Sequence, residues 1–134
     1  MTYEEKGRGI FGLNGTNVIL GPEGERWKTK EFEPVKADTS EWNEITVIAR
    51  GNHLIHQVNG ETTSELIDCH EEGLALEGLI AVQLHRGNPN RVEIQEIKIR
   101  ELKDGKIVPF ELPEGAEKIE KPRTSNPQGV GPIK

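Results

Sequence analysis

Short apolar runs alternate with turn-forming residues along most of the chain. Residues 77–87, EGLIAVQLHRG, show this most clearly, because aliphatic residues occupy every second position in the middle. Successive side chains of a strand point to opposite faces, so Ile80 and Val82 are predicted to share one face. Gln83 and His85 share the other. The pattern predicts a strand that pairs an apolar face with two polar side chains.

A hairpin is predicted immediately before this strand. Residues 45–50 and 53–58 alternate in the manner of two paired strands. Asn59 and Gly60 follow, and both residues tolerate the positive φ angles of a type I′ turn. Residues 62–66 are then predicted to form the returning strand.

The remaining pattern also favours strands over helices. Within residues 91–102 the apolar residues shift from even to odd positions, from Val92 and Ile94 to Ile97 and Ile99. This shift predicts either a bulge near Gln95 or Glu96 or a strand with both faces partly covered. Short runs between frequent turn signals are typical of an all-β sandwich or barrel. We therefore expect a β-sandwich domain over residues 1–111 and a polar tail, rich in Pro and Gly, over residues 112–134.

Composition restricts the classes of partner. The 134 residues carry a formal net charge of -6 without a long basic run, which disfavours nucleic acid or an anionic membrane surface as a partner. A single cysteine, Cys69, excludes an internal disulfide. No apolar run approaches the roughly 20 residues that span a bilayer, and the start MTYEEKGRG lacks the pattern of a signal peptide.

Histidines supply the candidate chemistry. Gln83 and His85 on one strand face can orient a ligand's hydroxyl groups and transfer a proton, although a solvated outer face explains the pair equally well. His56, between apolar neighbours, is either a buried structural histidine or a catalytic one. His53 and His56 point to opposite faces of their strand, so they cannot form a simple two-histidine metal clip. Trp42, just before a strand, is expected in the core rather than as a sugar platform.

Several linked segments resemble one family. WNEITVIARGNHLIHQVNGETTSELID and ALEGLIAVQLHRGNPNRVEIQEIKIREL, together with YEEKGRGI, resemble the 3-keto-disaccharide hydrolase domain family, whose members are also described as 3-keto-glucoside 1,2-lyases and 3-keto-2-hydroxyglucal hydratases. The resemblance covers about residues 3–102. It implies a concanavalin-like (laminarinase-like) antiparallel β-sandwich or jelly roll, with ligand on one concave sheet face.

The resemblance also implies an incomplete domain. Family domains usually begin well upstream of YEEKGRG, so this chain is expected to represent the C-terminal portion, with open sheet edges that favour a homo-oligomer. Family members are often exported, and a signal would precede Met1, so the localisation stays unknown.

The implied activity is cleavage of 3-keto-glycosides, by removal of the C2 proton, elimination at C1 and rehydration. His85 is the expected proton-transfer group, with Gln83 and Arg50 holding sugar or ketone oxygens. A divalent cation is one alternative for holding the enolate charge, although no ligand set here demands it. The alternative functions are a non-catalytic carbohydrate-binding sandwich and an inactive truncated domain. Further catalytic candidates are His56 and Glu5, and Arg8 is a further substrate-binding candidate.

Overall fold

The computed structural model describes residues 15–82, 84, 86–89 and 91–120. This part of the chain contains strands, turns and extended segments and no helix, so the all-β prediction is confirmed. No helix within it is therefore long and apolar enough to cross a membrane. The six strands are β1 (Thr16–Leu20), β2 (Arg26–Glu31), β3 (Ile45–Arg50), β4 (His53–Val58), β5 (Glu61–Asp68) and β6 (Glu117–Ile119).

The strands form one mixed, unclosed sheet in the order β3-β4-β5-β1-β2-β6. Strand β1 lies parallel to β5, and every other neighbouring pair is antiparallel. The prediction of a purely antiparallel arrangement is therefore wrong at the centre of the sheet. The long connection from β2 to β5 passes through β3 and β4, which gives the chain room to bring β5 back beside β1 in parallel. The sheet is consistent with a β-sandwich, and the jelly roll stays a prediction.

The predicted hairpin is confirmed in detail. Strands β3 and β4 pair over their full lengths, from Ile45 opposite Val58 to Arg50 opposite His53. The turn after β4 has Asn59 at φ 51° and Gly60 at φ 82°, the left-handed backbone that the two residues tolerate. The returning strand β5 is longer than the predicted residues 62–66, because its ladder with β4 runs from Glu61 to Ile67 and its ladder with β1 extends to Asp68.

Two predicted strands are absent from the described residues. The described parts of 77–87 and 91–102 are not in any sheet, and the bulge predicted near residues 95–96 is absent with them. Ile80 is 82% exposed instead of packing between sheets, and Val82 and Leu84 are also exposed. Alternating side chains favour a strand, but a ladder also requires backbone partners, and no described strand offers them here.

The core is thin and lies around the central strand β1. Val18 and Ile19, on opposite faces of β1, are the buried hydrophobic residues of the described chain. Trp42, expected in the core, is instead 62% exposed at the turn before β3.

The segment beyond residue 111 contributes to the sheet. Strand β6 pairs antiparallel with β2, and Lys28 of β2 contacts both Glu31 and Glu117. Hydrogen bonds to Glu31 and then Glu117 raise the pKa of the Lys28 ammonium. The polar composition of this segment is therefore compatible with an edge strand that makes exposed ion pairs.

Candidate functional site

One face of the sheet carries a polar cluster built by strand register. His53 of β4 lies opposite Ile67 of β5, and Ile55 lies opposite Glu65, so His53 and Glu65 share a face. The parallel pairing of β5 with β1 places Asn17 beside Glu65 on that same face. We call the surface that bears these side chains the His53 face.

Glu65 is held at both carboxylate oxygens. His53 Nε2 forms a short hydrogen bond with Glu65 Oε1, and Asn17 Nδ2 donates to Glu65 Oε2 at 3.0 Å. A carboxylate can only accept, so His53 donates through a protonated Nε2. The side chains of His53 and Glu65 are 27% and 30% exposed, so the pair is partly shielded from water and still within reach of a ligand.

A cleft of about 430 Å³ opens beside this cluster. This volume falls in the range of small-molecule sites, roughly 300–1,000 Å³. Its sheet side combines apolar and polar groups, and its outer wall is formed by residues from 106–113, which we call the covering segment. The lining residues are Asn17, Val18, Ile19, Thr29, Glu65, Ile67, Val108, Pro109, Glu111, Leu112 and Pro113.

Asn52, in the β3–β4 turn, anchors the covering segment to the sheet. The Val108 amide donates to Asn52 Oδ1 at 2.7 Å, and Asn52 Nδ2 donates back to the Val108 carbonyl at 2.9 Å. The same Nδ2 also donates to the carbonyl of Asp68, at the end of β5. Asn52 is only 2% exposed, so these bonds are shielded from water.

Cys69 belongs to this anchor rather than to a reactive centre. Its Sγ lies 3.5 Å from the Val108 carbonyl and 3.6 Å from Asn52 Nδ2. Burial raises the pKa of the Cys69 thiol, and the Asp68 charge raises it further, while the hydrogen bond from Asn52 lowers it. The thiol is therefore protonated at neutral pH and weakly nucleophilic.

The structure separates the two predicted site residues that it describes. Arg50 lies on the His53 face, directly opposite His53, and its Nε is 3.4 Å from Asp104 Oδ1. His56 points to the other face, between Val47 and Ser64 of the neighbouring strands. The predicted residues outside the described part of the chain are Glu5, Arg8, Gln83 and His85.

His53 and Glu65 were missed as functional candidates by sequence reasoning. Alternation alone predicted that His53 and His56 point to opposite faces of their strand, but it identified no partner for His53. The Asn59-Gly60 turn alone would not have found the pair, because a regular hairpin from that turn places His53 opposite Leu66. A register shift between His56 and Gln57 brings Glu65 to the face of His53. The contact with Asn17 depends on the parallel pairing of β1 and β5, for which the sequence carries no such signal.

No group of three or more His, Cys, Asp or Glu side chains in the described ranges is placed to hold a metal ion.

Comparison with known protein families gives a match over most of the chain. Residues 3–100 match the sequence model of a family described as the 3-keto-alpha-glucoside-1,2-lyase-like domain. No curated protein and no solved structure matches the chain. The matched residues include strands β1 to β5 and therefore the whole polar cluster of the His53 face.

Proposed function

Because the chain belongs to the 3-keto-alpha-glucoside-1,2-lyase-like domain family, we propose that it cleaves 3-keto-glycosides. The match over residues 3–100 carries this proposal, since it spans most of the chain. The cleft on the His53 face supports it, because it combines a small-molecule volume with the carboxylate of Glu65, which His53 contacts, and an apolar wall. The ligand class is therefore a carbohydrate with a ketone at C3.

The reaction divides into an elimination and a hydration. The ketone at C3 makes the C2 proton acidic, and a base removes it to give an enolate. The C3 carbonyl then re-forms as a C1=C2 double bond is made, and the bond from C1 to the leaving oxygen breaks. That oxygen takes a proton, which releases the aglycone and leaves a 3-keto-2-hydroxyglucal. Addition of water, with hydroxide at C1 and a proton at C2, yields 3-keto-glucose.

This sequence of steps requires a base, a group that holds the enolate charge and an acid for the leaving oxygen. His85 is the proposed proton-transfer group, and Gln83 and Arg50 are proposed to hold sugar or ketone oxygens. Glu5, Arg8 and His56 are secondary candidates. Two of these six candidates lie in the described part of the chain. Arg50 lies on the same sheet face as the cleft, and His56 lies on the other face.

The first test is proton NMR of methyl 3-keto-α-glucoside incubated with the purified chain, once with added Mg²⁺ or Mn²⁺ and once with a chelator. We expect release of methanol and signals of a 2-hydroxyglucal or of 3-keto-glucose, above a control without protein. A folded sample that leaves the substrate unchanged in both arms would contradict the proposal. If such a sample still binds the glycoside, the chain is a carbohydrate-binding module.

His85→Ala tests the proposed proton-transfer group. Loss of a positioned acid or base is expected to lower kcat by about 100-fold or more, because such a group contributes roughly 10²–10⁴-fold to rate. His70→Ala is the matched control, since His70 lies in the turn after β5 and is not proposed to contact the substrate. Equal kcat values for the two variants, measured by methanol release, would remove His85 from the mechanism.

A further inference from the structure

We propose that Glu65 is a catalytic residue of this reaction, and that the cleft between the His53 face and the covering segment holds the reacting sugar ring. The inference rests on the proposed function and adds a residue that accepts the C2 proton. Three observations carry it: Glu65 lines the cleft, both its oxygens are oriented by neighbours, and its side chain keeps solvent access.

Two neighbours fix the orientation of the Glu65 carboxylate. A carboxylate oxygen has two acceptor positions, and each oxygen of Glu65 uses one for a neighbour, His53 on one side and Asn17 on the other. The plane of the carboxyl group is thereby fixed, while one acceptor position on each oxygen stays available. A base held in this way is pre-organised, so little reorganisation is required at the moment of proton transfer.

The lining of the cleft matches a sugar in chemical character. Acceptors predominate, because Glu65 and Glu111 contribute carboxylates and Asn17 Oδ1 is a buried acceptor without a partner among the described residues. A ligand rich in hydroxyl donors complements such a surface. The aliphatic side chains of Ile19 and Ile67 on the sheet, and the prolines of the covering segment, offer an apolar surface for the C–H face of a ring.

The proposed step is the transfer of the C2 proton of the substrate to Glu65. The C2–H bond of the 3-keto-glycoside breaks, its proton bonds to a Glu65 oxygen, and the electron pair of that bond becomes the enolate of C2, C3 and the ketone oxygen. The same carboxylic acid can return the proton to C2 when water adds at C1. His53 and Asn17 do not touch the reacting atoms in this scheme, and they are positioning residues.

The test compares Glu65→Gln with Glu61→Gln. Both remove one carboxylate from β5, but Glu61 lies four residues earlier, at the exposed start of the strand and outside the cleft. Glutamine conserves the volume of Glu65, and it cannot accept a proton from carbon at neutral pH. In D₂O, with methyl 3-keto-α-glucoside as the probe, NMR follows both methanol release and deuterium incorporation at C2.

We expect Glu65→Gln to lower kcat by about 100-fold or more and to abolish deuterium incorporation, while Glu61→Gln behaves as the unmodified protein. If the unmodified protein and both variants turn over at equal rates, the role of Glu65 is refuted and the proposed function stands. If the unmodified protein itself shows no turnover, both proposals fail. Thermal melting of each variant establishes that it is folded.

His53 is tested by two substitutions that differ in one property. His53→Gln keeps a side-chain donor for Glu65, whereas His53→Leu removes it. A positioning role predicts that the Gln variant retains most of the activity and that the Leu variant loses at least about tenfold in kcat with little change in KM. Equal activity of two folded variants would overturn the positioning role.

Discussion

Replacing Asn52 by alanine is expected to lower the free energy of unfolding by about 2–4 kcal/mol. The side chain is 2% exposed and bridges the covering segment to the end of β5 through bonds with Val108 and Asp68. Without it, the Val108 amide and the Asp68 carbonyl lose a shielded partner, and the Val108 carbonyl keeps only its 3.5 Å contact with Cys69 Sγ. Each unsatisfied buried group costs roughly 1–3 kcal/mol, which is large against a typical total of about 5–15 kcal/mol. Urea unfolding followed by tryptophan fluorescence measures the loss.

Asn43→Ala is the matched control for burial. Asn43 also makes three side-chain bonds, to Asp38, Glu41 and Asn59, but its turn is solvent-accessible. Water can replace these partners, so the expected loss is below about 1 kcal/mol. Similar losses for the two variants would show that burial of Asn52 does not determine its contribution.

Replacing Gly51 by alanine is expected to destabilise the protein by more than about 2 kcal/mol, for two reasons that add. Gly51 adopts φ +57°, where a side chain costs roughly 1–2 kcal/mol. An added Cβ would also collide with the backbone carbonyl of Lys106, at the start of the covering segment, well inside 3.0 Å. A backbone obstacle cannot rotate away, so either the covering segment or the β3–β4 turn must shift.

Gly60→Ala separates the two reasons. Gly60 has φ +82°, and an added Cβ there would meet nothing within 4 Å. The expected cost is therefore the conformational one alone, about 1–2 kcal/mol. Urea midpoints of the two variants measure the difference, and an equal shift for both would contradict the close approach of the covering segment to Gly51.

The hairpin was predictable because residues close together in the sequence determine it. Alternation over 45–50 and 53–58, followed by Asn59-Gly60, determines a hairpin, since only a few residue types tolerate the left-handed backbone of that turn. The absence of a helical period likewise determines the all-β class of the described chain. The membership of the family also follows from the sequence, through the match over residues 3–100.

The same reasoning fails where a feature depends on a distant partner. The alternation in 77–87 is as regular as that of the hairpin, yet the described parts of 77–87 and of 91–102 join no sheet. An alternating pattern indicates which side chains share a face. It does not determine whether another strand lies alongside to form the backbone hydrogen bonds of a ladder.

The sequence by itself therefore determined the all-β class, the β3–β4–β5 hairpin strands and the family, and it drew attention to Arg50 among the residues of the His53 face. Only the tertiary structure decided that β1 lies parallel to β5, which brings Asn17 to Glu65 across 48 positions of the chain. It also decided that the covering segment, residues 106–113, lies against the sheet and forms the outer wall of the cleft. Hydrogen bonds between Asn52 and Val108 hold this segment in place. Closing loops of this length costs entropy that is offset by many contacts together, so no single sequence pattern encodes the result.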